Sequence, residues 1–166
     1  MRWSQKLSLP IALAALLVGS ACSSQTSAPA AAPAAAATGK HPISGLDVIP
    51  LTISQNGKSH AFRVEVARTM EQQEKGLMFR TAMAPDEGML FPSDTAEQRS
   101  FWMKNTVIPL DIVFIGPDHL ISNIAANAVP YSLEPINSEG AAIAVLELNG
   151  GRAAQLGIVP GARVSW

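Results

Sequence analysis

The chain of 166 residues contains a single cysteine, Cys22, and therefore cannot form a disulfide within itself. Cys22 ends a segment with the features of an export signal, and no cysteine follows it. In an export signal of the lipoprotein type, such a cysteine carries lipid on its thiol. If Cys22 is lipidated in this way, the rest of the chain has no free thiol. Disulfide bonds and thiolate catalysis are then excluded together.

The chain also lacks an excess of basic residues. All 13 acidic residues lie after residue 40, together with 9 of the 12 Lys and Arg residues. Segment 41–166 therefore has 9 cations against 13 acids, a formal charge of −4. A mildly acidic domain without a basic stripe argues against a nucleic acid as its partner.

Motifs for the common catalytic chemistries are missing. The three histidines, His41, His60 and His119, do not have the H-x-H or H-E-x-x-H spacing of a metal site. The sequence contains no G-x-S-x-G motif of a hydrolase and no phosphate-binding loop. We therefore predict neither a catalytic residue nor a cofactor.

Methionine is the one soft metal ligand that the domain has in number. Thioethers can hold Cu(I) in an exported protein, but filling a hydrophobic core is the commoner role of methionine. The sequence favours the core role, and we expect no metal site. The residues concerned are Met70, Met78, Met83, Met89 and Met103.

Residues 1–21 are typical of an export signal. Arg2 and Lys6 provide positive charge, and the apolar run from Leu7 to Val18 is shorter than the ~20 residues that span a bilayer. Small residues 19–21 precede Cys22. This order resembles a bacterial lipoprotein signal with lipid on Cys22, although a glycine stands where such signals favour leucine. The alternative is an ordinary secretory signal with an incidental cysteine.

Lipidation at Cys22 would attach the protein to a membrane. Ser23, not an aspartate, follows the cysteine, which by the sorting rules of diderm bacteria favours the outer membrane. We expect a lipoprotein on the periplasmic side of that membrane, with a soluble periplasmic or secreted protein as the alternative.

Segment 22–40 consists almost entirely of small residues and proline, so it predicts a disordered tether ahead of a single domain at 41–166.

The first part of that domain has the pattern of a β-hairpin. Asn56-Gly57 separates segments 46–54 and 59–67, and this dipeptide is a strong hairpin signal. In the second segment Arg63 and Glu65 alternate with apolar residues. This alternation predicts one buried face and one solvent face.

Two short helices are predicted. Thr69 and Gln72 have the spacing of a capping box, which predicts a helix over Met70 to Lys75. The second helix is predicted over 150–156, with Asn149 as its cap and Gly157 as its stop.

The remaining apolar segments predict strands. The strands are separated by turns and by two predicted loops, at 93–98 and 126–140. About eight short strands with two short helices and no repeats predict a mainly β fold, either a compact β sandwich or a small barrel. The segments are 88–91, 99–103, 110–115, 120–125, 142–148 and 158–166.

Several motifs occur in one order at spacings typical of a known family. They are Gly76 to Arg80, Gly88 to Phe91, Phe101 to Asp111, and Val145 to Asn149 with Gly157-Ile158 and Gly161. On these motifs the chain resembles the family of domain of unknown function 192, over about residues 50–164. The resemblance implies a mostly β single domain, often exported behind a signal or lipoprotein leader, and no established activity. The family commonly has Gly-Asp near the C-terminus, whereas Ala162 follows Gly161 here, so any role of that aspartate is absent.

The polar residues of the third motif and of the predicted strand 142–148 predict a site. Strand alternation places Trp102 and Lys104 on one face, and gives Asp111 and Glu147 apolar neighbours. A carboxylate in such surroundings needs a partner. Lys104 and Arg80 are the natural partners.

The sequence therefore predicts a polar ligand pocket in which Trp102 offers a stacking face to a sugar or another small polar ligand. The alternative is structural: Asp111 and Glu147 cap loop backbone and form buried ion pairs, which imitate functional sites. The pattern favours this clamp as the minimum role. The candidate pocket residues are Arg80, Trp102, Lys104, Asn105, Asp111 and Glu147.

These observations predict a monomeric, membrane-anchored binding domain of the cell envelope. Its ligand would be a small polar molecule, a saccharide or another envelope protein. The second prediction is a hydrolase of envelope glycans that uses a carboxylate pair, Asp111 with Glu147 or Asp86 with Glu87, since two carboxylates about 5–10 Å apart can hydrolyse glycosides. The third is a structural interaction domain with no ligand.

Overall fold

The computed structural model describes residues 39–166. The predicted export signal, Cys22 and the predicted tether up to residue 38 lie outside these residues. Within the described part of the chain, no helix combines the length and apolarity needed to cross a membrane.

The described residues form a mainly β domain of eight strands and two short helices, which confirms the predicted fold class. Its elements in chain order are β1 (Gly39–Lys40), β2 (Asp47–Gln55), β3 (Lys58–Val66), α1 (Met70–Lys75), β4 (Glu87–Phe101), β5 (Leu110–Ile115), β6 (Ile121–Ala128), β7 (Ile136–Asn149), α2 (Arg152–Leu156) and β8 (Arg163–Ser165).

One sheet contains all eight strands, in the order β1-β2-β3-β4-β7-β5-β6, with β8 also paired to β2. The pair β3–β4 is parallel, and the other pairs among the described strands are antiparallel. The chain around β8 also reaches the opposite edge, because Ile121 N donates to Ala162 O and Val164 N donates to His119 O, each at 2.9 Å. These bonds connect the two edges and give the domain a barrel-like form.

Local sequence signals account for the first hairpin and the first helix. Asn56 and Gly57 both have positive φ, 50° and 73°, as a two-residue turn that matches the strand twist requires. At α1, Thr69 Oγ1 accepts from Gln72 N at 3.2 Å, and Gln72 Oε1 accepts from Thr69 N at 3.1 Å. The predicted hairpin, capping box and first helix are therefore confirmed.

The interior of the barrel is one apolar core. Alternate residues of the strands point into it, as the period of two predicts, and α2 closes part of it through Ala153. Its strand residues are Leu51, Ile53, Phe62, Val64, Leu90, Val113, Ile115, Ile121, Ala144, Leu146, Leu148 and Val164.

A second core covers the outer face of β4, β7 and β5. The segment that crosses from β3 to the parallel strand β4 packs Leu77 against this face, and the connection after β4 adds Met103. These three strands are therefore covered on both faces, which explains why every residue of β5 is buried. The strand residues of this outer core are Met89, Phe91, Leu110, Ile112, Phe114, Ala128 and Val145.

One predicted loop, 93–98, and part of the other, 126–140, belong to long strands instead. Residues 93–98 lie in β4 and residues 136–140 lie in β7. There the two strands continue as a paired ribbon beyond the core, with register shifts, and most of its residues are exposed. Because neither face of the ribbon is consistently buried, the sequence has no apolar alternation that identifies it.

The predicted cap of the second helix is wrong. The Asn149 side chain instead donates to the carbonyl oxygens of Met83 and Ala84, at 3.1 and 3.0 Å. The helix begins after Gly151, which provides no side-chain cap. The predicted stop is confirmed, since Gly157 has a φ of 70°.

Gly88 is a position where the strand pairing leaves no room for a side chain. A Cβ there would lie 2.6 Å from the Glu147 carbonyl oxygen and 3.0 Å from Leu148 Cδ2. We expect Gly88→Ala to lower the free energy of unfolding by about 1–3 kcal/mol, measured by denaturant unfolding. Gly39→Ala is the control, because no atom of residues 39–166 beyond its chain neighbour lies within 4 Å of a Cβ there. An equal loss in both variants would contradict the steric explanation.

Candidate functional site

A cleft of about 770 Å³ lies between α1, β4 and the connection that follows β4. Its buried lining residues are Leu77, Phe91, Thr106 and Glu147. The exposed side chain of Trp102 lines it as well, together with several charged side chains. The size is within the range of small-molecule sites, roughly 300–1,000 Å³.

Glu147 is the buried ionisable residue of this cleft. It lies on β7, between Met89 of β4 and Ile112 of β5, and only 5% of the residue is exposed. Its Oε2 atom is buried and has no hydrogen-bond partner among residues 39–166. Burial raises the pKa of Glu147 to about 8. The carboxyl group is therefore protonated at neutral pH and offers one O–H donor and an acceptor oxygen.

Asp111 lies on the opposite face of the same strands. It stands across from Leu148, whereas its neighbour Ile112 stands across from Glu147, and successive residues of a strand point to opposite faces. Asp111 therefore points into the barrel interior and Glu147 points to the outer face. The two carboxyl groups do not line one pocket.

The Asp111 carboxylate binds backbone instead of a cation. Its Oδ1 accepts from Asn127 N and Gly151 N, and its Oδ2 accepts from Ala153 N, all at 2.8 Å. These bonds join β5 to the end of β6 and to the start of α2. The predicted pairing of Asp111 with Lys104 or Arg80 is wrong. Its hydrogen bonds to backbone N–H groups are those expected if Asp111 has the structural role of capping loop backbone.

Arg80 also has a different partner from the one predicted. Its Nη1 and Nη2 donate to Glu65 Oε1 and Oε2, at 2.9 and 3.1 Å, and both residues are buried. His41 Nε2 lies 3.5 Å from Glu65 Oε1, and Ser44 Oγ donates to Glu65 Oε2. The alternation in β3 predicts a solvent-facing Glu65, and this is wrong because the segments around His41 and Arg80 cover it. Arg80 lines a second cleft of about 700 Å³.

The connection after β4 contains three of the candidate pocket residues, Trp102, Lys104 and Asn105. Trp102 is 50% exposed, and Lys104 Nζ lies 5.1 Å from its ring centroid. Asn105 has a φ of 54°; its Nδ2 donates to Met78 Sδ at 3.7 Å, and its carbonyl accepts from Phe79 N. Asn105 thus shapes the backbone beside the cleft, while Trp102 and Lys104 line it.

Of the six candidate pocket residues, the structure brings three to one cleft: Trp102, Lys104 and Glu147. Arg80 lies in the neighbouring cleft, Asn105 lies in the connection and Asp111 lies inside the barrel.

Residues 51–166 match the model of the family of domain of unknown function 192 (DUF192), described as "Uncharacterized ACR". The chain belongs to the DUF192 family. This match confirms the resemblance seen in the motifs. No curated protein matches the chain significantly.

Two solved structures are similar to this DUF192 domain. A protein of unknown function from Novosphingobium aromaticivorans has 53% sequence identity and a TM-score of 0.78, over 80% of this chain and 94% of that one. A Sinorhizobium meliloti protein described as a candidate transcription regulator has 43% identity and a TM-score of 0.68, over 70% of this chain and 91% of that one.

The geometry of the DUF192 domain separates one predicted hydrolase pair and places the other beside Arg63. Asp111 and Glu147 point to opposite faces of the sheet. Asp86 and Glu87 both bind Arg63, at 3.6 and 2.9 Å. Across residues 39–166, no group of three His, Cys, Asp or Glu side chains is arranged to hold a metal ion.

Sequence reasoning missed most of the cleft's lining, including Gln73, Arg99 and Thr106. Thr106 is buried in its lining, and Arg99 Nη2 donates to Gln73 Oε1 at 3.1 Å. Thr106 lies inside the motif of residues 101–111, so that motif was the available signal for it. Gln73 and Arg99 are 26 residues apart in the chain, and no local pattern connects them.

Glu147 makes stability depend on pH. The raised pKa of the folded state means that its contribution is fully present below the ordinary glutamate pKa and is lost as the pH rises toward 8. We expect Glu147→Gln to gain stability relative to the native protein by roughly 1 kcal/mol per pH unit between pH 5 and 8, measured by denaturant unfolding. Glu139→Gln, an exposed glutamate of the same strand, is the control. Parallel pH profiles for all three proteins would contradict this.

Asp111 is expected to be a stability residue. An asparagine there keeps one acceptor oxygen but places an NH₂ group against a backbone N–H. We expect Asp111→Asn to lower the free energy of unfolding by about 2–3 kcal/mol. Asp118→Asn is the control: the exposed Asp118 accepts from Leu120 N through one oxygen, which an amide can replace. A loss below about 0.5 kcal/mol at Asp111, the level of an ordinary surface change, would refute the clamp.

Proposed function

We propose that this DUF192 domain is an exported binding domain of the cell envelope that holds a small polar ligand, such as a saccharide, in the cleft lined by Trp102, Lys104 and Glu147. The observation that supports the proposal is the buried, unpartnered Oε2 atom of Glu147 in that cleft. An unsatisfied buried polar group costs about 1–3 kcal/mol. A ligand group that bonds to Glu147 would remove this cost.

Trp102 supports a saccharide as the ligand. Its indole ring lines the cleft and is half exposed, so a ligand can reach it. Sugar rings have apolar faces that pack on an aromatic ring and hydroxyl groups that bond to polar neighbours. Thr106 and Glu147 are the buried polar side chains of the same lining.

The proposed location is the periplasmic side of the outer membrane, with lipid on Cys22; the alternative is a soluble periplasmic or secreted protein. Residues 23–38 would link the lipid to β1 of the domain, and 16 residues extend to at most about 55 Å. The formal charge of −4 in 41–166 favours a ligand other than a nucleic acid, whatever the role of the S. meliloti relative.

A thermal-shift screen of the full-length protein against saccharides and small organic acids tests the proposal. We expect a ligand that raises Tm, and we expect Trp102→Ala to weaken its binding about fivefold to tenfold through loss of ring contact. Lys104→Ala is expected to weaken it less, since Lys104 is exposed.

Matched controls are available for both variants. Trp166 is 41% exposed and packs against His119, away from the cleft residues. Lys58 is exposed in the first hairpin. Trp166→Ala and Lys58→Ala should bind the ligand as the native protein does. A ligand whose binding is unaffected by Trp102→Ala and Lys104→Ala would show that the cleft is not the site.

A further inference from the structure

Among the charged side chains that line the cleft, cations outnumber exposed carboxylates. The buried Glu147 adds no charge at neutral pH because it is protonated. Four cations and three exposed carboxylates line the cleft, besides Glu147. These are Arg68, Lys75, Arg99 and Lys104, against Glu74, Asp94 and Glu97.

The two cations nearest to aromatic rings determine which ligands those rings can accept. Lys104 Nζ lies 5.1 Å from the Trp102 centroid, and Arg99 Cζ lies 5.8 Å from the Phe101 centroid. Sites for ammonium ligands place the ligand's cation over such rings. Here cations of the protein already occupy that position on both rings, so a ligand ammonium would meet like charge.

Glu147 completes the pattern because it can act as a donor. A carboxylic acid in a neutral state donates its O–H to a ligand oxygen, whereas a carboxylate only accepts. Glu147 has no ion-pair partner among the described residues, so no protein cation holds it in the charged state.

Building on the proposed function, we infer that the cleft selects acidic saccharides: Glu147 donates a hydrogen bond to a ligand oxygen, and Lys104 and Arg99 bind the ligand's carboxylate. Neutral sugars bind more weakly, since they lack that carboxylate. Amino sugars bind most weakly, since their ammonium group faces the cations of the rim.

The donor role of Glu147 predicts a direction for the pH dependence. Loss of its proton above pH 8 removes the donor and adds a repelling charge, so the affinity for an acidic sugar should fall about tenfold between pH 7 and 9. The other charged groups that line the cleft with Glu147 come from the segment before α1, from α1, from β4 and from the connection after β4. They are Arg68, Glu74, Lys75, Asp94, Glu97, Arg99 and Lys104, and a variant that changes only Glu147 separates its titration from theirs.

The experiment titrates the full-length protein with glucuronate, glucose and glucosamine at pH 6.5, using calorimetry. These sugars share one ring and differ in charge. We expect glucuronate to bind at least fivefold more tightly than glucosamine, with glucose between them. Arg99→Ala and Lys104→Ala should reduce the preference for glucuronate over glucose, and Lys58→Ala should not.

Two variants test Glu147. Glu147→Gln keeps an N–H donor without an ionisable proton, so it should bind glucuronate within about threefold of the native protein and with no decline between pH 7 and 9. Glu147→Leu should lose binding. A decline with pH that persists in Glu147→Gln would overturn the donor role.

The remaining outcomes separate the inference from the proposed function. If glucosamine binds most tightly and Glu147→Gln abolishes that binding, the site stands and Glu147 acts as a carboxylate for cations, which overturns the inference. If none of the three sugars binds at millimolar concentration, the inference and the proposed saccharide function both fail.

Discussion

The carboxylate of Asp111 holds the domain together at the point where three elements meet. It lies on β5 and binds the backbone N–H groups of Asn127 in β6, of Gly151 just before α2 and of Ala153 within α2. A buried carboxylate without such donors is costly, and the start of a helix has N–H groups that need acceptors. Each satisfies the other. The end of the barrel, where Ala153 enters the interior core, therefore depends on one side chain.

The sheet separates this stabilising carboxyl group from the candidate ligand group. Asp111 and Glu147 belong to paired strands and are offset by one position in register, yet one points into the barrel and the other points to the outer cleft. One carboxyl group is saturated by three N–H donors, whereas the other keeps an oxygen with no partner in the described part of the chain. The stabilising carboxyl group and the proposed ligand-binding group therefore lie on opposite faces of the same two strands.

Sequence reasoning succeeded where the controlling contacts are local. The turn at Asn56-Gly57 and the capping box at Thr69 depend on neighbours within four residues. It failed for the partners of Arg80 and Asp111, because those depend on which distant segments the fold brings together. It also missed residues 93–98 of β4, which are mostly exposed and carry no apolar period. For the cleft, the motif of residues 101–111 identified Trp102 and Lys104 as lining residues. Strand register alone decides whether Asp111 or Glu147 faces the cleft.

The parallel pairing of β3 and β4 has a consequence for how this family can vary. Parallel neighbours cannot be joined by a tight turn, so the chain must leave the sheet and return. That excursion, residues 67–86, contains α1 and contributes to the lining of both clefts. The barrel's hydrogen-bonded ladder does not include the α1 segment. Relatives can therefore vary this excursion, and with it the lining of both clefts, while the barrel beneath it keeps the same register.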